Sequence, residues 1–105
     1  MKISALLFGS LIACASFAAS ATDDLNRTVA SVGVQNGIGA YARFVEPTSA
    51  NCLYGVVYLG GMDQPNTRGM VAILLAAKAA DGKIGDIAYD VQSNGTCFAT
   101  KVENQ

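Results

Sequence analysis

The sequence predicts a mainly β fold with the element order β-β-β-α-β-β, arranged as an OB-fold-like five-stranded Greek-key barrel with one helix between strands three and four. Two observations predict it. Asn36-Gly37 and Asn94-Gly95 each join two stretches of alternating side chains, as in β-hairpins, and a single stretch with helical signals lies between strands three and four. A flat antiparallel sheet crossed by one helix is the alternative. The barrel is favoured because closure also removes exposed sheet edges.

Three strands are predicted before the helix. After a polar lead over residues 22–27, strands are expected over residues 28–35 and 38–44, because apolar side chains alternate with others in both. Residues 46–51 have no regular spacing of apolar side chains and are predicted to form a loop. Strand three, over residues 52–59, is rich in β-branched and aromatic residues. Three of these are expected on one face: Tyr54, Val56 and Tyr58.

The helix is predicted from Pro65 to Ala80, with Asn66 able to cap its start and Asp81-Gly82 able to end it. One face has the apolar spacing of a core-facing helix: Met70, Ile73, Leu74 and Ala77. The opposite side, flanked by Val71 and Leu75, carries a stripe of small residues instead of charges: Gly69, Ala72, Ala76 and Ala79. In so small a domain we expect a second subunit to cover this stripe, which predicts a homo-oligomer. Alternatively, alanine is tolerated at the surface as the best helix former.

Two strands are predicted after the helix. Strand four, over residues 84–91, has alternating apolar side chains at Ile87, Tyr89 and Val91. Strand five, over residues 96–102, is expected to place three side chains on one side: Phe98, Thr100 and Val102.

The N-terminus has the three parts of a secretory signal peptide. Lys2 supplies a positive charge, residues 3–17 form an apolar run, and Ala19 and Ala21 place small residues at the two critical positions of a cleavage site. The apolar run is shorter than the roughly 20 residues that a membrane-spanning helix needs, so no membrane span is predicted.

Cleavage is predicted between Ala21 and Thr22, so that residues 1–21 are the signal peptide and residues 22–105 form a single OB-like domain, secreted or periplasmic. Two alternatives stay open. The apolar run is an uncleaved anchor in one, and in the other Cys14 is lipidated and becomes the first residue of a lipoprotein.

The two cysteines that follow the signal peptide, Cys52 and Cys97, are predicted to form a disulfide, because an even count in an oxidising compartment indicates pairing. Closing the loop between positions 52 and 97 stabilises a small domain by about 4 kcal/mol in the chain-entropy model. A catalytic or redox cysteine is the alternative. It is disfavoured because the sequence has no Cys-x-x-Cys pair.

No residue pattern in the chain indicates catalysis. The sequence has no histidine, which removes Ser-His and Cys-His dyads and the usual zinc sites. Asp81, Asp86 and Asp90 fit no calcium loop and are predicted to be turn and surface residues. The formal net charge of −1, with no basic patch, argues against nucleic acid as a partner. We therefore predict no enzymatic activity, no metal and no cofactor.

The helix and the residues after it carry a family resemblance. Residues 70–84 end in Gly82, Lys83 and Ile84, a tyrosine follows at Tyr89, and Asn94-Gly95-Thr96 leads into Cys97. Together with a signal peptide, five strands and one disulfide, this resembles the receptor-binding subunits of bacterial pentameric A-B toxins, in the subtilase-cytotoxin and pertussis-like branch. The resemblance implies an oligomer whose helices pack around a central axis. No sugar-contacting residue of that branch is matched here.

The resemblance and the missing catalytic groups predict a secreted binding module that recognises a glycan or another cell-surface ligand. Four tyrosines are available to stack on sugars, although a tyrosine in a strand more often packs or pairs with a neighbouring strand: Tyr41, Tyr54, Tyr58 and Tyr89. The alternative is a periplasmic or envelope structural or inhibitor protein with no small-molecule ligand, which lipidation at Cys14 would favour. The ligand-binding residues are not identified by the sequence.

Overall fold

The computed structural model describes residues 20–105. It contains five strands, one α-helix and one short 3-10 turn, which follow one another in this order: β1 (Ser20–Gln35), β2 (Gly39–Phe44), the 3-10 turn (Leu53–Gly55), β3 (Val57–Gly60), α1 (Pro65–Ala79), β4 (Lys83–Val91) and β5 (Cys97–Asn104). The predicted fold class is confirmed, with the helix between β3 and β4.

The five strands close into a ring in the order β1-β2-β3-β5-β4, and β4 pairs in turn with β1. Only the β3–β5 pair is parallel. The ring closes because β1 is long enough to serve two neighbours. Its first half pairs with β4, as at Thr22 with Tyr89, and its second half pairs with β2, as at Val32 with Ala42. A bulge between Val29 and Ser31 lies between the two halves, and a bulge bends a strand in this way.

The core fills the ring and extends to one face of α1. The largest fully buried apolar side chains come from β3, β4 and the helix: Tyr89, Leu74, Ile84, Ile87 and Val57. The predicted disulfide is present and joins Cys52, just before the 3-10 turn, to Cys97, the first residue of β5. The bond therefore ties the 3-10 turn to the ring.

The helix begins and ends close to the predicted positions. Pro65 occupies its first turn, where its missing N–H costs nothing, but Gln64 rather than Asn66 is the N-cap residue. At the other end, the Gly82 N–H donates a hydrogen bond of 2.7 Å to the Ala77 carbonyl. Gly82 has a φ of +86°, a conformation that favours glycine and ends the helix.

The helix buries a slightly different face from the predicted one. Leu74 and Ala77 are buried as expected, and Met70 and Ile73 are half-buried against the core. Val71, placed by the prediction beside the outer stripe, is buried. The remaining buried residue of the helix is Thr67, whose hydroxyl donates a hydrogen bond of 3.0 Å to the Leu59 carbonyl.

The prediction was wrong for residues 22–27, which belong to β1. Their polar side chains do not show the usual alternation, because Asp24 lies inside the ring opposite Ile87 while Leu25 lies outside, opposite Asp86. A buried carboxylate in place of an apolar side chain conceals the strand from a hydropathy pattern.

Strand three and strand five also differ from the prediction. β3 begins only at Val57, and Tyr54 lies in the 3-10 turn before it. In β5, a register shift leaves Thr100 without a partner between the Tyr89–Ala99 and Ala88–Lys101 pairs. Beyond this bulge the two faces exchange, so Phe98 and Thr100 are exposed whereas Val102 is buried.

The predicted signal peptide lies mostly outside the described residues, as does Cys14. Its last residue, Ala21, pairs with Asp90, and Thr22 pairs with Tyr89. Cleavage between the two would leave β1 with its partners from Thr22 onwards. Within residues 20–105, no helix has the length and apolar character needed to cross a membrane.

Candidate functional site

Three aromatic side chains form a row across the outer face of the ring. The strand register places Tyr41 of β2 opposite Tyr58 of β3, and Tyr58 opposite Phe98 of β5. The Tyr58 and Phe98 rings pack with their centroids 5.5 Å apart. Aromatic pairs on neighbouring strands stabilise a sheet. Within the row, Tyr58 is largely buried and Phe98 is exposed.

Tyr41 extends the row over β1. A Cβ atom on Gly33 would lie only 2.6 Å from the Tyr41 hydroxyl oxygen, so the phenol end of the ring occupies the space above this glycine. Gly33 and Tyr41 are cross-strand partners. The guanidinium carbon of Arg43 lies 5.7 Å from the Tyr41 ring centroid, close enough for a cation–π interaction. Gly33 thus leaves room for the phenol end of Tyr41, and Arg43 lies over its ring.

Tyr54 stands beside this row in a strained conformation. Its φ is +62°, a region that costs a non-glycine residue about 1–2 kcal/mol, and its side chain is 75% exposed. The surrounding turn is held by the Leu53 N–H, which donates to the Gly95 carbonyl at 2.8 Å, and by the Gly55 N–H, which donates to the Cys52 carbonyl at 3.0 Å. Strain that supports an exposed aromatic side chain is a reason to suspect a function.

A groove of about 230 Å³ lies between these side chains. Three of its six lining residues are tyrosines, and the others are one cation, one amide and one valine: Tyr41, Tyr54, Tyr58, Arg43, Gln35 and Val56. The groove can pack against the flat side of a ring while Arg43 and Gln35 donate hydrogen bonds to the ring's polar edge.

The four tyrosines considered as stacking residues lie in two different places. Tyr41, Tyr54 and Tyr58 meet at the groove. Tyr89 lies fully buried inside the ring, where its hydroxyl donates a hydrogen bond of 2.7 Å to Asp24 Oδ2. Tyr89 is therefore a packing residue of its strand and is not available to stack on a sugar.

Asp24 is a buried carboxylate that the sequence analysis missed. Besides Tyr89, it accepts hydrogen bonds from the Ser49 hydroxyl and from the Ser49 N–H at 3.0 Å, and Arg27 lies 3.5 Å away. Burial alone would raise the pKa of Asp24, but the hydrogen bonds from Ser49 and Tyr89 and the Arg27 charge hold it below its ordinary value. Burial, followed by the hydrogen bond with Asp24, raises the pKa of Tyr89. Partners 25 and 65 residues away leave no local signal in the sequence.

The three aspartates that were predicted to be turn and surface residues lie in different environments. Asp81 is a turn residue as expected, since its side chain accepts a hydrogen bond of 3.0 Å from the Lys83 N–H. The prediction was wrong for Asp86, which is buried within β4, with Lys101 Nζ 2.7 Å from its Oδ2. Asp90 also lies within β4, opposite Phe98, and is half-buried. The hydrogen bond with Asp86 and its charge raise the pKa of Lys101. In the part of the chain that the structure describes, no three acidic or cysteine side chains are grouped as a metal site.

The small-residue stripe of α1 lies on the outside of the domain. Gly69, Ala72, Ala76 and Ala79 are all exposed, and so is half of Leu75 beside them. The stripe is thus open to solvent in a single chain.

Comparison of the chain with protein-family models, curated proteins and solved structures gave no match. The relationship to the toxin subunits therefore stays an expectation from the sequence.

Proposed function

We propose that the protein is a secreted, non-catalytic binding module that recognises a cell-surface glycan through the aromatic groove. The observation that carries the proposal is the meeting of Tyr41, Tyr54 and Tyr58 around one concave surface, with Arg43 and Gln35 also in its lining. A sugar ring has one face of C–H groups and a rim of hydroxyls. The former suits an aromatic wall, and the latter suits guanidinium and amide donors.

The charge of the protein supports a glycan over a nucleic acid. Flat bases would also stack on tyrosines, but a phosphate backbone requires several cations nearby. Arg43 is the only formal charge among the side chains that line the groove, and the chain has a net charge of −1.

The non-catalytic part of the proposal rests on the chemistry of the chain. The sequence contains no histidine. The Asp24 carboxylate lies inside the ring, where it already accepts hydrogen bonds from Ser49 and Tyr89 and has the Arg27 guanidinium beside it. Its role is to join β1 to β4 and to the loop, since its oxygens already have donors.

We also propose that the protein acts as a homo-oligomer through α1. The outer side of the helix combines the four stripe residues with Leu75, which is 51% exposed, and only Arg68 and Lys78 are charged within the helix. An apolar helix face of this kind is covered in most soluble proteins. Several copies on one surface would multiply weak glycan contacts, as expected of a toxin-like receptor-binding subunit.

A glycan array probed with the purified domain tests the binding proposal. We expect selective glycan signals that disappear in Tyr54→Gly, because this variant deletes the exposed ring while keeping a residue suited to positive φ. Leu25→Ala is the matched control: it truncates an exposed apolar side chain on the β1–β4 side of the ring and should leave the signals unchanged. An array without selective signals, or signals equal in Tyr54→Gly and the unmodified domain, would contradict the proposal.

A further inference from the structure

The chain has two Asn-Gly pairs, Asn36-Gly37 and Asn94-Gly95, and both lie in turns between strands. Asparagine before glycine is prone to deamidation, because a glycine has no side chain to keep the asparagine side chain away from its main-chain nitrogen. That nitrogen attacks the side-chain carbonyl carbon and closes a succinimide ring, which water then opens to aspartate or isoaspartate. The reaction requires that both groups are free to meet.

Four hydrogen bonds hold the Asn94-Gly95 pair. Asn94 Oδ1 accepts from the Thr96 N–H at 3.1 Å and from the Thr96 hydroxyl at 2.7 Å. The Gly95 N–H donates to the Gln92 carbonyl at 2.9 Å, and the Gly95 carbonyl accepts from the Leu53 N–H at 2.8 Å. Because the Gly95 nitrogen must lose its proton to attack, its bond to Gln92 has to break before the ring can close.

The Asn36-Gly37 pair is open to solvent at the tip of the β1–β2 hairpin. Both residues are exposed, and a Cβ atom on Gly37 would have no other atom within 4 Å. The turn is closed by the Ile38 N–H, which donates to the Gln35 carbonyl at 3.0 Å. Among residues 20–105, neither the Asn36 side chain nor the Gly37 N–H has a hydrogen-bond partner. No hydrogen bond of the pair therefore has to break before these two groups meet.

We propose that Asn36 deamidates spontaneously in the folded domain, whereas the turn around Asn94 protects that residue. Asn36 Cγ forms a bond with the Gly37 nitrogen and loses Nδ2, which leaves as ammonia with the proton of that nitrogen. Water then adds to a carbonyl of the succinimide and supplies one oxygen of the new carboxylate. The reaction needs no other reagent, and it converts a neutral side chain at the hairpin tip into an acidic one.

The modified turn adjoins the aromatic groove, because Gln35 lines both the groove and a cleft at the hairpin tip. In isoaspartate the main chain runs through the former side chain and is longer by a methylene carbon. The added carbon lies inside the turn that the Gln35 carbonyl and the Ile38 N–H close, so we expect Gln35 to move. The modified domain should then bind glycan more weakly. This effect, unlike the reaction itself, rests on the glycan-binding function proposed above.

Peptide mapping by mass spectrometry, on the folded domain incubated at mildly alkaline pH, measures the rate at each asparagine. We expect Asn36 to react at least about tenfold faster than Asn94. In the reduced chain unfolded in urea, where neither turn persists, the two rates should agree within about threefold. Asn36→Gln is the matched control: its longer side chain closes the larger ring less readily, so the variant should stay unmodified at this position.

Similar rates at Asn36 and Asn94 in the folded domain, or no reaction at Asn36, would overturn the proposal. A rate ratio that is the same in the folded and unfolded chains would also overturn it, because the turns would then have no influence. The affinities of the fresh and the modified domain for the array glycan of highest signal test the effect on the groove. Equal affinities would overturn the connection through Gln35. A fresh domain that binds no glycan would contradict the proposed function and leave the deamidation rates as evidence on their own.

Discussion

The hydroxyl of Tyr89 donates a hydrogen bond of 2.7 Å to Asp24 Oδ2, inside the ring of strands. The same hydroxyl accepts a hydrogen bond of 3.3 Å from the Ala50 N–H. One phenol oxygen thus joins β4, β1 and the loop before the 3-10 turn. Because the site is buried, water cannot replace a lost partner at low cost.

Tyr89→Phe should lower the free energy of unfolding by about 1–3 kcal/mol, since Asp24 loses a donor and the Ala50 N–H loses its acceptor. Urea denaturation of both proteins measures the change. Tyr54→Phe removes the same hydroxyl from an exposed ring and should stay within about 0.5 kcal/mol of the unmodified domain. Equal effects of the two substitutions would mean that the buried network contributes nothing.

The free energy of unfolding should decrease as the pH is lowered through the acid range. The hydrogen bonds from Thr28 lower the pKa of Glu46 from its ordinary 4.5 to about 2, and the pKa of Asp24 is also lowered. Each carboxylate stays ionised in the folded protein at pH values where the unfolded chain has already bound a proton. The stabilisation is therefore complete above pH 4.5 and, for Glu46, is lost as the pH falls to about 2.

Glu46→Gln should accordingly flatten the loss of stability between pH 4.5 and about 2, measured by thermal unfolding across that range. Glu103→Gln, on the exposed side of β5, is the control and should retain the contribution of Glu46. An unchanged profile in Glu46→Gln would show that the contacts with Thr28 do not stabilise the fold.

Loss of the disulfide should cost about 2–5 kcal/mol, because Cys52 and Cys97 close a long loop and Cys97 is fully buried. The double variant Cys52→Ala, Cys97→Ala measures this without leaving a free thiol. Thiol labelling of the denatured, unreduced domain should find neither cysteine reactive. Complete labelling of both would contradict the pairing.

Ala76→Glu should dissociate the proposed oligomer while the monomer still folds, because it places a charge in a contact that excludes water. Light scattering gives the mass of each protein. Asn66→Glu adds the same charge to the first turn of α1, outside the stripe, and should leave the assembly intact. A monomeric unmodified domain at high concentration would remove the oligomer from the proposal.

The exported protein should begin at Thr22, with β1 starting opposite Tyr89 and Asp24 still in place. Intact-mass measurement of the product decides it. A product that begins at a diacylated Cys14 would instead establish the lipoprotein.

The sequence by itself determined the elements whose signals are local. Asn36-Gly37 placed the first hairpin, because a tight turn requires residues that tolerate positive φ, and Gly37 has a φ of +82°. Pro65 and Gly82 marked the helix ends for similar backbone reasons. With two cysteines left after the predicted signal peptide, the disulfide had one possible pairing.

Tertiary structure alone decided which side chains meet. The period of two in a strand assigns residues to faces only until a bulge exchanges them, as Thr100 does in β5. Asp24 is buried because donors distant in sequence converge on it, and Tyr54 leaves the strand pattern because Gly95 and the disulfide hold its turn. Tyr54 therefore joins Tyr41 at the groove while Tyr89 enters the core, a division that depends on ring closure and not on the residue type.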